Sequence, residues 1–165
     1  MNRHCVLHSF GSVGAEIPMA GVVIGAEGVL YGTTTAGGNS GGWGTVYSLT
    51  PPTSPQAAWT EHVLHSFASG SDGAIPTADL IQATVGVLYG TTSAGGTSGR
   101  GTAFKLTPPA TAVDSWAESV LYSFTGGLDG DTPVAPLFLT AGGVLYGTTL
   151  RGGVSGCGTV FSLAP

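Results

Sequence analysis

The sequence has few charged residues. Asp, Glu, Lys and Arg make up 8% of its 165 positions, and only four of them are Lys or Arg, whereas a typical domain is about 25% charged. Four basic side chains cannot form a nucleic-acid-binding surface or a polybasic membrane patch, so neither partner is expected. Low charge in an apolar chain also argues against disorder.

Other absences narrow the class further. Two cysteines do not make a disulfide framework. No run of about 20 apolar residues occurs, because Gly, Pro, Ser and Thr interrupt every apolar stretch, so no membrane insertion is expected. Residues 1–10 lack the apolar segment of a signal peptide, and the long Ala, Glu, Lys and Leu runs of helical bundles are missing. The 29 glycines and 10 prolines that are present favour a compact all-β chain.

Three copies of one unit account for nearly the whole chain. A motif of His or Tyr followed by Ser-Phe ends at Phe10, Phe67 and Phe124, two steps of 57 residues. The motif Leu-Tyr-Gly-Thr-Thr also occurs three times, and so does Gly-Thr followed by a small and an aromatic residue. A period of this length is typical of repeat architectures.

Each unit is predicted to contain four short strands, because the apolar segments are short, rich in Val, Leu, Tyr, Phe and Thr, and bounded by Gly, Pro, Asn or Asp. No segment has a sustained helical period, so no helix is predicted. The expected strands are first Met19–Ile24, Ala78–Ala83 and Val134–Thr140; second Val29–Thr34, Val87–Thr92 and Val144–Thr149; third Thr45–Thr50, Thr102–Thr107 and Thr159–Leu163; and fourth Val6–Phe10, Trp59–Phe67 and Trp116–Phe124.

Four antiparallel strands per unit of this length predict a β-propeller-type repeat. One small sheet cannot bury both of its faces alone, so neighbouring units are expected to stack; a β-solenoid is the alternative, but its coils are usually shorter. The array 1–165 then divides into an N-terminal outer strand (1–10) and three blades (11–67, 68–124 and 125–165). The last blade lacks its outer strand unless 1–10 completes it.

Three blades are too few to close a ring, which leaves two alternatives. Two chains can form a six-bladed ring, each N-terminal strand completing the partner's last blade. Alternatively, the chain is an open arc cut from a longer repeat protein. The second is favoured, because Asn2 stands where the other copies carry Trp59 and Trp116.

The repeated motifs resemble the GloVer tandem repeat of bacterial "choice-of-anchor" proteins, over almost all of the chain. The first copy departs from the pattern, with Gly14-Ala15 in place of Asp-Gly, and the third has Tyr122 in place of His. The second copy carries most of the pattern: Trp59, Glu61, Val63–Phe67, Asp72-Gly73, Pro76, Ala78, Leu80, Leu88–Thr92, Gly95-Gly96, Gly99, Gly101-Thr102, Phe104 and Leu106–Pro108.

The resemblance implies a limited set of functions. Members resemble secreted or surface proteins with varied anchoring signals and no assigned activity. We therefore expect a non-enzymatic scaffold or binding module, extracellular or at the cell surface, without cofactor or metal. Its expected partners are itself, neighbouring repeats or a glycan. The alternative from another class is a carbohydrate-binding or hydrolytic propeller, which would need a supported carboxylate pair.

The candidate ligand-binding residues are Asp72, Asp129 and Asp131. They fall in the predicted loops between one blade's outer strand and the next blade's inner strand. Asp followed by Gly is a turn signal, and this structural interpretation is favoured. The alternative is a ring of carboxylates that binds a cation or sugar hydroxyls.

No catalytic residue is predicted. Ser40 lies in a Gly-x-Ser-x-Gly match, but no helix follows as a nucleophile elbow requires. His8-Ser9 and His65-Ser66 are adjacent in predicted strands, so their side chains point to opposite faces and cannot form a dyad. The Gly-rich loops, of which residues 94–101 are one, lack the Lys of a phosphate-binding loop, so their glycines are predicted to form turns at positive φ.

The recurring aromatic side chains are predicted to pack between blades, with sugar stacking as the alternative. They are Trp59, Trp116, Tyr31, Tyr89 and Tyr146. Cys5 and Cys157 occur once each, and if Val6–Phe10 paired with the last strand they would lie too far apart along it for a disulfide. Both are predicted to be free thiols.

Overall fold

The computed structural model describes residues 4–11, 14–39, 41–54, 56–83, 86–111 and 115–165, and its regular structure is almost wholly β. A 3-10 turn at Ala26–Gly28 departs from the prediction of no helix. The strands are β1 (Ala15–Glu16), β2 (Val23–Ile24), β3 (Leu30–Thr34), β4 (Ala36–Gly37), β5 (Thr45–Thr50), β6 (Thr60–Ser66), β7 (Ile81–Gln82), β8 (Leu88–Thr92), β9 (Thr102–Thr107), β10 (Ala117–Ser123), β11 (Phe138–Leu139), β12 (Leu145–Thr149) and β13 (Thr159–Leu163).

The strands form successive antiparallel sheets, one for each sequence repeat. Sheet 1 has the order β2-β3-β5-β6, sheet 2 the order β7-β8-β9-β10, and sheet 3 the order β11-β12-β13. A two-stranded ribbon, β1-β4, adds a fourth sheet that the sequence did not predict. None of the sheets closes into a barrel in the described part of the chain.

The second and third strands of each unit form a pair that explains the glycine of the Leu-Tyr-Gly-Thr-Thr motif. Gly32 lies opposite Tyr47, and Gly90 lies opposite Phe104. A Cβ built on Gly90 would come within 2.7 Å of the Phe104 ring, and Gly147 is crossed by Phe161 in the same way. Glycine is required here because the aromatic ring of the third strand occupies the space of a side chain.

The two threonines of the same motif have different surroundings. The second hydroxyl bonds the first Thr of the third strand, at 2.9 Å for Thr92 and Thr102. The first threonine points toward the next sheet, where the buried Thr33 hydroxyl donates to the carbonyl of Ala78 at 3.2 Å. Thr91 occupies the equivalent place in sheet 2, but its buried hydroxyl has no partner among the described residues.

The first strand of each unit is shorter than predicted. Six or seven residues were expected, and the ladders contain two, such as Ile81–Gln82 in sheet 2. The residues before Ile81 bond to sheet 1 instead: the Ala78 carbonyl accepts from Thr33, and an Asp79 carboxylate oxygen accepts from the Gly21 N–H at 2.5 Å. Contacts between sheets therefore replace the ladder at this edge.

The strand predicted over Val6–Phe10 is not formed within this single chain, in which residues 4–10 have no regular structure. Its equivalents, β6 and β10, pair with the third strands of their own sheets. The remaining third strand, β13, pairs only with β12 among the described residues, so residues 4–10 have no partner strand within the chain, and a strand without a partner is not stable. Phe10 nevertheless packs on Tyr47, with ring centroids 5.0 Å apart.

Successive sheets stack through a repeated aromatic contact. The residue that directly follows a fourth strand packs edge-to-face on the aromatic residue of the next third strand: Phe67 on Phe104 at 5.3 Å, and Phe124 on Phe161 at 5.0 Å. Buried apolar residues of both sheets surround the first of these contacts, including Val46, Leu80, Leu88 and Leu106. The hydrophobic core thus lies between sheets, as the stacking prediction requires.

A left-handed residue before a proline recurs at each junction. Ile17, Ile75 and Thr132 have φ between +56° and +58°, which is rare for β-branched side chains. The N–H of Ile75 donates to the Trp43 carbonyl of the preceding unit at 2.9 Å, and that of Thr132 donates to Arg100 at 3.0 Å. The conformation therefore links each unit to the loop of the one before.

Candidate functional site

The predicted acids lie where expected, in the loops that lead from one sheet to the next. Asp72 lies between β6 and β7, and both Asp129 and Asp131 lie between β10 and β11. These loops, the Gly-rich loops and the ends of the fourth strands together form the junctions between sheets. The recurring polar residues of the sequence meet there.

Asp72 caps its own loop. One carboxylate oxygen accepts from the Ala68 N–H at 2.9 Å and lies 3.5 Å from Nε2 of His65. Burial lowers the pKa of His65, and the Asp72 carboxylate only partly opposes this effect. The imidazole is therefore neutral at pH 7, and its buried Nε2 has no hydrogen-bond partner among the described residues.

Asp129 has the most complete set of donors. It accepts from the Thr125 N–H at 2.8 Å, from the Thr125 hydroxyl at 2.5 Å and from the Tyr122 hydroxyl at 3.0 Å. Burial raises the pKa of Asp129, but these hydrogen bonds outweigh it and the net shift is downward. The same bond to Asp129, helped by burial, raises the pKa of Tyr122. The pair is an anionic carboxylate held by a neutral phenol.

Asp131 joins unit 3 to the loop of unit 2. Its carboxylate lies 3.1 Å from the Arg100 guanidinium and accepts from the Thr132 hydroxyl at 2.6 Å, with only 7% of the residue exposed. Sequence reasoning missed this ion pair. Aligning the repeats reveals it, because Arg100 replaces Trp43 and Cys157, and its partner Asp131 replaces Ala74 of the second copy.

Two glutamates at equivalent positions of β6 and β10 were not singled out as site residues. Glu61 accepts from Nε2 of His8 at 2.7 Å and from the Ala15 N–H at 3.1 Å. Burial raises the pKa of Glu118 to about 7, and the negative charge of Asp72 adds to the shift. Its Oε1 is buried with no partner among the described residues. The same sequence position thus provides a paired carboxylate in one unit and an unpaired one in the next.

The structure brings no nucleophile together with a base among the candidates it describes. The Ser66 hydroxyl accepts from the Asn39 N–H at 3.3 Å, whereas His65 faces Asp72. Each ring of the His-or-Tyr position packs edge-to-face on the Phe two residues later, as for His65 on Phe67 at 4.7 Å. This confirms the structural interpretation of that position. Ser40 and Asn2 lie outside the described residues.

The Gly-rich loops form turns, as predicted. In the second copy, Gly95, Gly96, Gly99 and Gly101 all have positive φ. A Cβ on Gly101 would collide with the carbonyl of Thr92 and lie 2.8 Å from Cδ of Pro133 in the next unit. That glycine therefore permits both the turn and the approach of the following sheet.

The packing prediction for the aromatic side chains is confirmed for most of them. Tyr31 packs on Trp116 of the next sheet, with centroids 5.9 Å apart, and Trp59 lies against a buried cluster that contains Tyr47. Tyr89 is buried, but Tyr146 is 45% exposed because nothing in the described chain covers sheet 3.

Three further observations concern the thiols, metal ligands and membrane-spanning helices of the described residues. Cys5 and Cys157 are exposed free thiols, as predicted. In the residues that the structure describes, no three His, Cys, Asp or Glu side chains are arranged to hold a metal ion. Over the same residues, no helix has the length and apolarity needed to cross a membrane.

The family profile of the Gloeobacter/Verrucomicrobia repeat matches residues 18–165. The chain belongs to this family, in agreement with the resemblance drawn from the motifs. A comparison with curated proteins finds no match.

Proposed function

We propose that this member of the Gloeobacter/Verrucomicrobia repeat family is a non-enzymatic β-propeller-type module with a scaffold or binding role in a secreted or cell-surface bacterial protein. One observation carries the proposal: the recurring polar and aromatic residues hold one unit on the next. Phe67 packs on Phe104, Arg100 pairs with Asp131, and the Ile75 N–H bonds to Trp43. A residue engaged in this way serves stacking rather than turnover.

The propeller geometry is proposed from the stacking mode. Each unit is a small antiparallel meander whose third-strand residues face the next unit, as Val46 faces Leu80 and Leu88. This face-to-face stacking favours blades around an axis over the coils of a solenoid. Small-angle X-ray scattering distinguishes the two: we expect a curved, compact particle, and a straight rod would contradict the proposal.

The scaffold role is proposed from the condition of the acids. Asp72 and Asp129 accept hydrogen bonds within their own loops, and Asp131 is paired with Arg100. A carboxylate pair for glycoside hydrolysis needs one proton donor and one free base or nucleophile facing a common cleft. The three Asp side chains instead act as turn caps and as a link between units.

A hydrolase panel combined with a glycan array tests the proposal. We expect no hydrolysis above the blank, whether or not a glycan binds. The matched control is the D72N/D129N/D131N variant, which removes the three acids. Hydrolysis by the wild type that this variant loses would establish the carbohydrate-active alternative and overturn the proposal.

A further inference from the structure

The outer face of sheet 3 is exposed where the equivalent faces of sheets 1 and 2 are covered. Val46 and Ala103 are completely buried, but Val160, at the same position of the third strand, is 79% exposed. Val46 is buried because it packs against Leu80 and Leu88 of the following sheet. Sheet 3 therefore presents an apolar face of the kind that its neighbours use for stacking.

The edge of sheet 3 is open as well. Within the described residues β13 pairs only with β12, whereas β5 and β9 each pair on both sides. A cleft of about 250 Å³ runs along β13 and is lined by Tyr122, Phe124 and Asp129. In sheets 1 and 2, the fourth strand fills the equivalent edge.

The segment that would fill this edge lies at the other end of the chain. Residues 4–10 repeat the sequence of the fourth strand, since Val-Leu-His-Ser-Phe occurs both at Val6–Phe10 and at Val63–Phe67. Phe10 already packs on Tyr47, as the Phe that follows a fourth strand does on the following sheet. The segment therefore keeps its attachment to sheet 1 but lacks the strand with which it would form a ladder.

We propose that sheet 3 binds a second copy of this chain, whose residues 4–10 add to β13 as the missing fourth strand and whose sheet 1 stacks on Val160. The proposal rests on the stacked-repeat scaffold proposed above and names its partner. The contact is head-to-tail, so two copies that each use both ends close a ring of six sheets.

The register follows from sheets 1 and 2. In sheet 1, Ser48 pairs with His62 and Leu49 pairs with Glu61. Transferred to sheet 3, this register places Cys5 of the second copy opposite Ser162 and its His4 opposite Leu163. His4 then takes the position of Glu61, which contacts the His or Tyr of the preceding unit. At the end of sheet 3 the preceding unit presents Tyr122 and the carboxylate of Asp129, to which the imidazole can donate a hydrogen bond.

The two partners of the backbone hydrogen bond found at each junction also occur separately, at opposite ends of the chain. Ile75 and Thr132 donate their N–H groups to the preceding loop, and Ile17 has the same left-handed conformation. No described residue of the chain stands before Ile17 as Trp43 stands before Ile75. In the proposed contact the Cys157 carbonyl of the other copy takes that place, continuing the established interface.

Sedimentation velocity over a wide concentration range tests the association. We expect a dimer for the wild type and at least about a tenfold weaker dimer for V160K, since each tenfold in Kd is about 1.4 kcal/mol. V154K is the matched control, because Val154 is 93% exposed and its counterpart Thr97 stays exposed in the stacked sheet 2. A wild-type monomer at every concentration, or a V160K dimer of unchanged stability, would overturn the proposal.

Cross-linking tests the register. In the proposed contact, residue 162 of one copy lies opposite Cys5 of the other. Opposite Cα atoms of antiparallel strands are about 4.5–5.5 Å apart, so the two thiols of the S162C/C157S variant are within disulfide reach. Mild oxidation should give a covalent dimer, and the same variant with C5S should give none. A wild-type dimer whose S162C/C157S variant does not cross-link would place the contact elsewhere. Sedimentation and cross-linking measure association and not hydrolysis, so a failure of this proposal is distinguishable from a failure of the proposed non-enzymatic function.

Discussion

Replacing Glu118 with Gln should stabilise the protein above pH 7 and change its stability much less near pH 5. Burial raises the pKa of this carboxyl from 4.5 to about 7, and the Asp72 charge adds to the effect. A raised carboxyl pKa means that the folded state binds the proton more tightly than the unfolded state. The stabilisation that the protonated Glu118 gives the folded state is therefore fully present below pH 4.5, and it is lost as the pH rises through 7.

The size of the effect follows from the shift. A rise of the carboxyl pKa from 4.5 to about 7 corresponds to about 3 kcal/mol. Glu118 is only half-buried, and solvent screening reduces this figure to about 1–2 kcal/mol. Since Gln cannot ionise, E118Q avoids that cost at pH 8.5. The expected rise in the unfolding midpoint is about 4 °C at pH 8.5.

Urea and thermal unfolding of the wild type and E118Q at pH 5 and pH 8.5 measure the difference. E61Q is the matched control, because it makes the same change at the equivalent position of sheet 1. Glu61 accepts from His8 and from the Ala15 N–H, so E61Q should destabilise by about 1 kcal/mol at neutral pH. The two substitutions are expected to have opposite signs at pH 8.5.

If E118Q changed stability equally at both pH values, ionisation of the carboxyl would not be the cause, and a packing effect would remain. A destabilised E118Q at pH 8.5 would mean that the ionised carboxylate has a partner in solution. NMR titration of the Glu118 side-chain carboxyl then identifies the faulty step, because the expected midpoint is about 7.

Three further predictions use pairs or single sites of the repeat. T92V should lower the free energy of unfolding by about 2 kcal/mol because it removes a bonded hydroxyl. T91V should leave it unchanged or raise it by about 1 kcal/mol, since the Thr91 hydroxyl is buried without a partner in the described chain. Urea unfolding separates the two variants, and equal losses would contradict the assignment. G101A should lower the free energy of unfolding by about 3 kcal/mol and G99A by about 1 kcal/mol, because both glycines have positive φ but, of the two, only Gly101 is crowded by neighbouring atoms. Comparable losses in thermal unfolding would contradict the effect assigned to crowding. Millimolar calcium should leave the unfolding midpoint unchanged, because Asp129 already accepts three hydrogen bonds; a rise in the midpoint that D129N abolishes would establish a cation site.

The strands that the sequence predicted best are those whose pattern their own sheet imposes. Thr45–Thr50 and Thr102–Thr107 have the predicted bounds, because alternate residues of a third strand face different neighbours. The first strands were predicted too long because their backbone groups bond to another sheet, as the Ala78 carbonyl bonds to Thr33. Such a contact joins residues 45 positions apart and leaves no local pattern.

The polar junctions show the same limit. The turn function of Asp72 and Asp129 was predictable, because a carboxylate before Gly caps its own loop. The environment of Glu118 was not, since it depends on burial against another unit and on the charge of Asp72. The Arg100–Asp131 pair lies between these cases, because comparing the copies shows two substitutions that occur together.

The left-handed residue at each junction makes the stability of a unit depend on its neighbour in the stack. A β-branched residue at positive φ costs about 1–3 kcal/mol, and it persists only where surrounding bonds hold it. At Ile75 those bonds come from both sides: its N–H donates to Trp43 of the preceding unit, and its carbonyl accepts from the Ser93 N–H of its own. An isolated unit would keep the cost and lose the first bond. Ile17 has this conformation just before the first strand of sheet 1. In the proposed contact, the Cys157 carbonyl of the second copy accepts from its N–H there.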